Sequence, residues 1–357
     1  MLDLDKEEGL MIGDTKALIA YLKKVIPVDS SSVFVLTDEN TTKHCFPKLK
    51  KFFETFEPFD LIEIEAGELS KSLLVSERIW KTLKDCNADR KSILINLGGG
   101  VVTDLGGFIA STYMRGIRFI HLPTSLLAMV DAASGGKNGI DFEGAKNLIG
   151  TINPPLAVAS NIDFIETLPL REVLCGWSEM LKHALIADKN HFEELIGIND
   201  FKKVNWKDLI NHNAAIKNDI VGQDVYENGM RKKLNFGHTV GHAIEAVFLE
   251  KKEKYHITHG EAVAAGMIIA SELSVSHAHL SKMEFKTIER TIDRLFERIE
   301  INKTDCKKII DRLRFDKKVV AGKNRMVLLN EIGNAVFDIE VDSKIIEKAI
   351  MNYARLS

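Results

Sequence analysis

A chain of 357 residues is longer than the ~250–300 at which a single core stops growing, so two domains are expected. Its composition, 45% hydrophobic and 28% charged with 7 prolines, excludes a disordered or fibrous chain, and a net charge of -3 gives no electrostatic footprint for nucleic acid. Four scattered cysteines, Cys45, Cys86, Cys175 and Cys306, form no CxxC pair, which argues against a disulfide framework or a cysteine zinc site and favours a reducing compartment.

In chain order, the acidic N-terminus lacks the layout of a secretion signal, and no apolar run approaches the ~18–20 residues that span a bilayer, so a cytoplasmic protein without membrane contact is expected. From about residue 30, short β-branched runs alternate with helical stretches. Strands are predicted at Ser31–Asp38, Asp60–Glu68, Ser92–Gly100 and Ile117–Pro123. This alternation implies βαβ units, a mostly parallel sheet and ligands at the strand C-termini. Gly98-Gly99-Gly100 follows a buried strand and opens a helical run, where backbone N–H groups can approach a pyrophosphate; a tight turn without a ligand is the plainer alternative. Asp38, at the end of its strand, suits either a ribose or adenine acceptor or a simple helix cap. Glu68 and Lys71, one turn apart, could grip ribose hydroxyls or pair with each other. Asp131, Lys137, Lys146 and Asn147 then follow around glycine turns, a composition suited to clamping an anion such as a phosphorylated substrate.

After Pro154-Pro155 the pattern turns helical, broken by a hairpin near Arg325–Val341. Glu179 and Lys182 lie one turn apart on an otherwise apolar helix, where burying either alone would cost several kcal/mol. They could pair with each other, or Glu179 could bind a metal and Lys182 a substrate. Lys217, Arg231, Asn235 and the run Asp316–Lys318, with Lys317 and Lys318, add polar reach. His238 and His242 share one helix face, and His259 opens the next helix, so three imidazoles can converge as they do around zinc. Gly237 and Gly241 in that segment need a packing or close-approach reason. His256 reads as a solvated histidine.

The ordered series AGELSKS, GGGVVTDLGGF, TYMRG, LPTSLLAMVD, GGKNGID, KNLIG, SEMLKH, LNFGHTVGHAIEA, HGEAV and DKK resembles the 3-dehydroquinate synthase family, collinearly from about Asp38 to Lys318. The resemblance implies an N-terminal Rossmann-like, NAD-binding α/β domain (residues 1–160) and an all-α metal- and substrate-binding domain (residues 161–357). It also implies an active site in the cleft between them, and a homodimer. By that resemblance the metal ligands, for zinc or cobalt, fall on Glu179, His238 and His259, leaving His242 to contact substrate. NAD contacts fall on Asp38, Glu68, Lys71, Gly99, Gly100, Asp104, Thr124 and Ser125. Substrate contacts fall on Asp131, Lys137, Lys146, Asn147, Lys182, Lys217, Arg231, Asn235 and His242, with Lys317 or Lys318. Of these, Lys137, Lys182, Lys217, Asn235 and His242 are expected to be catalytic. Arg115 would reach the phosphate in the neighbouring subunit's site.

Four positions depart from the common pattern: Ser125 for threonine, Ala132 and Ala133 for small polar residues, and Asn138 for threonine or serine. None removes a charge or a ligand. The resemblance implies a lyase of the shikimate pathway, in aromatic amino acid biosynthesis. It would convert 3-deoxy-D-arabino-heptulosonate 7-phosphate to 3-dehydroquinate and phosphate by transient oxidation, elimination, re-reduction and aldol closure. The alternatives are another sugar-phosphate cyclase, such as 2-deoxy-scyllo-inosose synthase, a metal-dependent polyol dehydrogenase, or a catalytically silent binding protein.

Overall fold

A computed structural model describes residues 9–143, 145–251, 257–315, 319–320 and 323–355. It divides into two compact units, Met1–Val173 with Asn205–Ala214, and Leu174–Val204 with Ala215–Ser357.

The first unit is built on strands β1 (Gly9–Gly13), β2 (Val33–Asp38), β3 (Phe59–Ile64), β4 (Ile93–Gly98), β5 (Arg118–Pro123), β6 (Lys137–Phe142), β7 (Ala145–Ile152) and β8 (Ala157–Asn161). Helices α1 (Thr15–Val25), α2 (Glu39–His44), α3 (Lys50–Phe53), α4 (Leu73–Asp85) and α5 (Gly100–Thr112) alternate with the first five strands. Six strands form one parallel sheet in the order β1-β8-β5-β4-β2-β3. The near-continuous apolar runs of β2 and β4 suit this position, because a parallel strand between helices is buried on both faces. All four strands expected from the sequence are present, each shorter than expected. The second stops at Ile64, before Gly67 turns the chain at φ 105°, and the third stops at Gly98 because Gly99 already caps α5. Strand β8, Ala-Val-Ala-Ser-Asn, is buried throughout, yet its small and polar residues give no apolar pattern to read. Strands β6 and β7 stand apart as an antiparallel ribbon.

The second unit is helical. It draws on α6 (Leu170–Ala187), α7 (Lys189–Gly197), α8 (Trp206–Gln223), α9 (His238–Glu250), α10 (His259–His277), α11 (Lys282–Leu295), α12 (Lys303–Phe315) and α13 (Ser343–Tyr353). A small sheet of β9 (Val319–Val320), β10 (Lys323–Glu331) and β11 (Asn334–Asp342) includes the expected hairpin, since β10 and β11 pair antiparallel. Helix α10 is apolar nearly all round, as a helix in the middle of a bundle must be. No helix among the described residues is long and apolar enough to cross a membrane.

His121 on β5 lies in the core of the first unit, with its Nδ1 3.1 Å from Asn96 Nδ2 and its ring edge-on to Phe119. Burial pushes its pKa from 6.5 down to about 3, against a weaker upward pull from a hydrogen bond with Asn138. The unfolded chain therefore takes up a proton near pH 6.5 that the folded chain refuses. Stability falls as the pH drops below that value, by at most about 1.4 kcal/mol per pH unit from this group. The His121 ring resonances should show no titration between pH 8 and 5 by NMR; a midpoint near 6.5 would contradict the buried neutral imidazole.

Candidate functional site

Three helices of the second unit bring a carboxylate and imidazoles together, and two glycine contacts set their spacing. Gly237 precedes His238 in the left-handed region, at φ 76°, and Gly266 of α10 lies against it. A Cβ on Gly266 would stand 2.0 Å from the Gly237 carbonyl oxygen, so α9 and α10 meet backbone to backbone. Gly260, directly after His259, does the same against α6: its Cβ would lie 2.4 Å from Cys175 Cα, and its N–H donates to Cys175 Sγ at 3.2 Å. Cys175 is one turn before Glu179, so this contact carries His259 to that carboxylate. Thr258 and Glu261 close a capping box at the start of α10, which fixes where His259 leaves the chain.

Glu179 Oε1 is 3.4 Å from His238 Nε2 and 3.4 Å from His259 Nε2. A tetrahedral ion with bonds of about 2.0–2.1 Å holds its ligand atoms about 3.3–3.4 Å apart, so each of these two distances matches an edge of such a coordination sphere. Each imidazole is anchored by its other nitrogen. His238 Nδ1 donates to the Phe236 carbonyl at 3.1 Å, and His259 Nδ1 faces Glu245 Oε2 at 3.3 Å. His242 completes a histidine group whose ligand atoms lie within 4.8 Å of one another, but it is exposed whereas His238 is buried. The second oxygen of Glu179, Oε2, pairs with Lys182 Nζ. Of the alternatives left open by the sequence, the Glu179–Lys182 pair is present, and it leaves Oε1 turned to the imidazoles.

The electrostatics follow from burial. Glu179 is 0% exposed and Lys182 1%. Burial pushes His238 down to about 4, against an upward pull from Glu179, with Lys182 and His259 adding to the fall. Burial also disfavours charge on His259, but hydrogen bonds to Glu179 and Glu245 outweigh it and raise the group to about 10.

Arg231 (3% exposed) and Lys217 (6%) are buried cations of the same unit. Asp224 shapes the turn that carries Arg231, accepting from the backbone N–H groups of Asn228 at 3.0 Å, Gly229 at 2.6 Å and Arg231 at 3.1 Å. Partial desolvation raises the Asp224 carboxyl, but those backbone donors outweigh it and hold the group below its usual range. The Arg231 guanidinium donates to the Val225 carbonyl at 2.7 Å. Asn235 Nδ2 donates to Glu227, a residue that sequence reasoning did not single out. Glu227 stands eight positions before Asn235 in a turn without periodicity; its left-handed φ of 60° ahead of Gly229 is the local mark of that turn. Lys317, Lys318 and His256 lie outside the described residues.

In the first unit Gly99 is the N-cap of α5 and supplies no side-chain cap, leaving the backbone N–H groups of that turn aimed past the sheet. Thr124 N donates to Gly98 O at 3.0 Å, and the Ser125 hydroxyl stands 3.3 Å from where a Gly99 Cβ would be, so the glycine turn is roofed by hydroxyl residues. Lys71, 4% exposed, pairs with Asp104 at 2.5 Å and more distantly with Glu68 at 3.9 Å, while Lys146 reaches Glu68 at 3.3 Å. Lys71 is therefore a buried member of a charge network and not a surface partner of Glu68 alone. Asp38 does cap a helix: it accepts from Thr41 N at 2.8 Å in a capping box. Asp131 is half-buried in a π-helical turn, Lys137 is exposed at the start of β6, and Asn147 sits at φ 52° with its N–H on Asp141 Oδ1 at 2.8 Å. Arg115 is exposed at φ 70°.

Family models described as 3-dehydroquinate synthase N-terminal and C-terminal match residues 61–175 and 176–319. A 3-dehydroquinate synthase of Parabacteroides distasonis is 37% identical over 324 residues, 89% of each chain. Among solved structures, a 2-deoxy-scyllo-inosose synthase complexed with carbaglucose-6-phosphate, NAD+ and Co2+ superposes with a TM-score of 0.83 at 23% identity, over 99% of this chain and 98% of that one. A 2-epi-5-epi-valiolone synthase from Streptomyces hygroscopicus with NAD+ and Zn2+ bound gives 0.85 at 24% identity, over 98% of both chains. At those identities the likeness shows a common fold.

The glycine contacts can be tested directly. Gly260→Ala should destabilise the protein by about 1–3 kcal/mol, because its Cβ meets backbone and the helices must move apart. Gly222→Ala on α8, where a Cβ meets nothing within 4 Å, should be neutral or stabilising. Equal melting temperatures for the two variants would refute the close-approach account.

Proposed function

The chain belongs to the 3-dehydroquinate synthase family, and we propose that it converts 3-deoxy-D-arabino-heptulosonate 7-phosphate to 3-dehydroquinate and inorganic phosphate. The observation that carries the proposal is the single Glu179 oxygen placed 3.4 Å from both His238 Nε2 and His259 Nε2. These three residues would hold a zinc or cobalt ion, and Gly99, Gly100, Asp38, Glu68, Lys71, Asp104, Thr124 and Ser125 would hold NAD. The bound groups supply Lewis acidity and a hydride exchange that leaves NAD unconsumed.

The chain's own residues do the rest. Lys182, held against Glu179 Oε2, keeps the carboxylate turned so that Oε1 faces the imidazoles. His242, exposed beside the ligand pair, contacts the substrate at its reacting hydroxyls. The substrate carries a carboxylate and a phosphate, so cations are needed at both ends. Arg231 suits planar, bidentate recognition of an oxyanion, and Lys137, Lys146, Asn147, Lys217 and Asp131 complete its binding. Asn235, oriented by Glu227, fixes a hydroxyl. The departing phosphate takes the proton next to the oxidised carbon, so elimination requires no dedicated protein base. Arg115, being exposed, suits a role in the site of a second subunit of a homodimer.

Phosphate release from the heptulosonate phosphate should require both NAD and zinc and stop with a chelator. No NADH absorbance should accumulate, whereas a polyol dehydrogenase would release NADH. A hexose phosphate lacking the carboxylate should give no release; turnover of that compound in preference would instead identify a different cyclase. Metal analysis divides the roles. Glu179→Ala should lose its zinc, whereas His242→Ala should retain zinc near one per chain while turnover drops about 10²-fold or more. Stoichiometric zinc in the first variant, or its loss in the second, would overturn the ligand assignment.

A further inference from the structure

The two imidazoles facing Glu179 are anchored differently, and the difference points to a residue outside the expected ligand and substrate sets. His238 Nδ1 rests on the neutral Phe236 carbonyl, two residues away on the same segment. His259 Nδ1 faces a carboxylate, Glu245 Oε2, that arrives from another helix at 3.3 Å. Glu245 lies on α9 seven residues after His238, two turns along the same helix, and is 4% exposed. Helix α9 therefore supplies one imidazole directly and braces the other through Glu245. A buried carboxylate is costly to keep unless it meets a donor, and Nδ1–H of His259 is such a donor. With one proton held on Nδ1, Nε2, the atom that faces Glu179 Oε1, is the nitrogen that would give up its proton and offer a lone pair to a cation.

We propose that Glu245 is a positioning residue that holds His259 in its Nδ1–H form and in its orientation, and so sets how tightly the site retains a divalent cation, resting on the ligand set proposed above. Its reach matters more than its charge. Gln at this position keeps the length and an acceptor oxygen, whereas Asp keeps the charge and withdraws it by one methylene.

Zinc affinity is measured by chelator competition on stripped wild-type protein, Glu245→Gln and Glu245→Asp, with circular dichroism of each metal-free protein and the visible spectrum of each cobalt-loaded one. Glu245→Asp should bind zinc about 10–100-fold more weakly, with an altered cobalt spectrum, while Glu245→Gln stays within about 5-fold of wild type and keeps its spectrum. Wild-type affinity in Glu245→Asp, or equal weakening in both variants, would overturn the positioning role alone. Wild-type protein without zinc affinity would overturn the ligand set, and this role with it.

Discussion

A carboxylate removed from water is the constraint around which the helical unit is arranged. Glu179 is 0% exposed, and a charge so placed persists only where opposite charge and hydrogen-bond donors surround it. Its two oxygens serve different partners, Lys182 on its own helix and the imidazoles of α9 and α10. Breaking such an arrangement at one member leaves the others buried without compensation. Under the proposed function, a divalent cation shared by Glu179 Oε1 and the two imidazoles would supply the same compensation.

Bringing three helices to one point demands that they approach more closely than side chains allow. The Gly266–Gly237 and Gly260–Cys175 contacts remove the Cβ atoms that would hold the backbones apart. Position is thus determined by absent side chains as much as by present ones. The sequence marks this imperfectly: Gly237 and Gly241 stand out beside the histidines, but nothing local shows that Gly260 and Gly266 face other helices.

Much of the fold was legible because its signals are local. The β2 and β4 runs, the glycine turn opening α5 and the Arg325–Val341 hairpin are patterns within a few residues of one another. What escaped depends on distance or on small residues. β8 reads Ala-Val-Ala-Ser-Asn and gains its burial from its sheet neighbours β1 and β5 and from α1, not from an apolar pattern of its own. The β6–β7 ribbon hides among residues chosen for chemistry, such as Lys137, Lys146 and Asn147. For the site, spacing placed His238 and His242 on one helix face but could not tell which imidazole turns inward; their difference in exposure is a property of tertiary packing. Glu179 was visible as a charge on an apolar helix. Glu227 and Glu245 were not, since the partners described for them, Asn235 and His259, are set by a turn or by another helix.

The turn organised by Asp224 bears on how the protein pays for recognition. Three backbone N–H groups converge on that one carboxylate, and Val225 takes up part of the guanidinium's donor capacity. Arg231 is consequently held before any anion arrives, with little rotamer freedom left to surrender. Ordering a long, flexible side chain on association costs about 0.5–1.5 kcal/mol, and here folding has already met that cost. If Arg231 takes the oxyanion of the proposed substrate, that anion would meet a receptor already ordered, and discrimination between a planar carboxylate and a mismatched group would rest on shape.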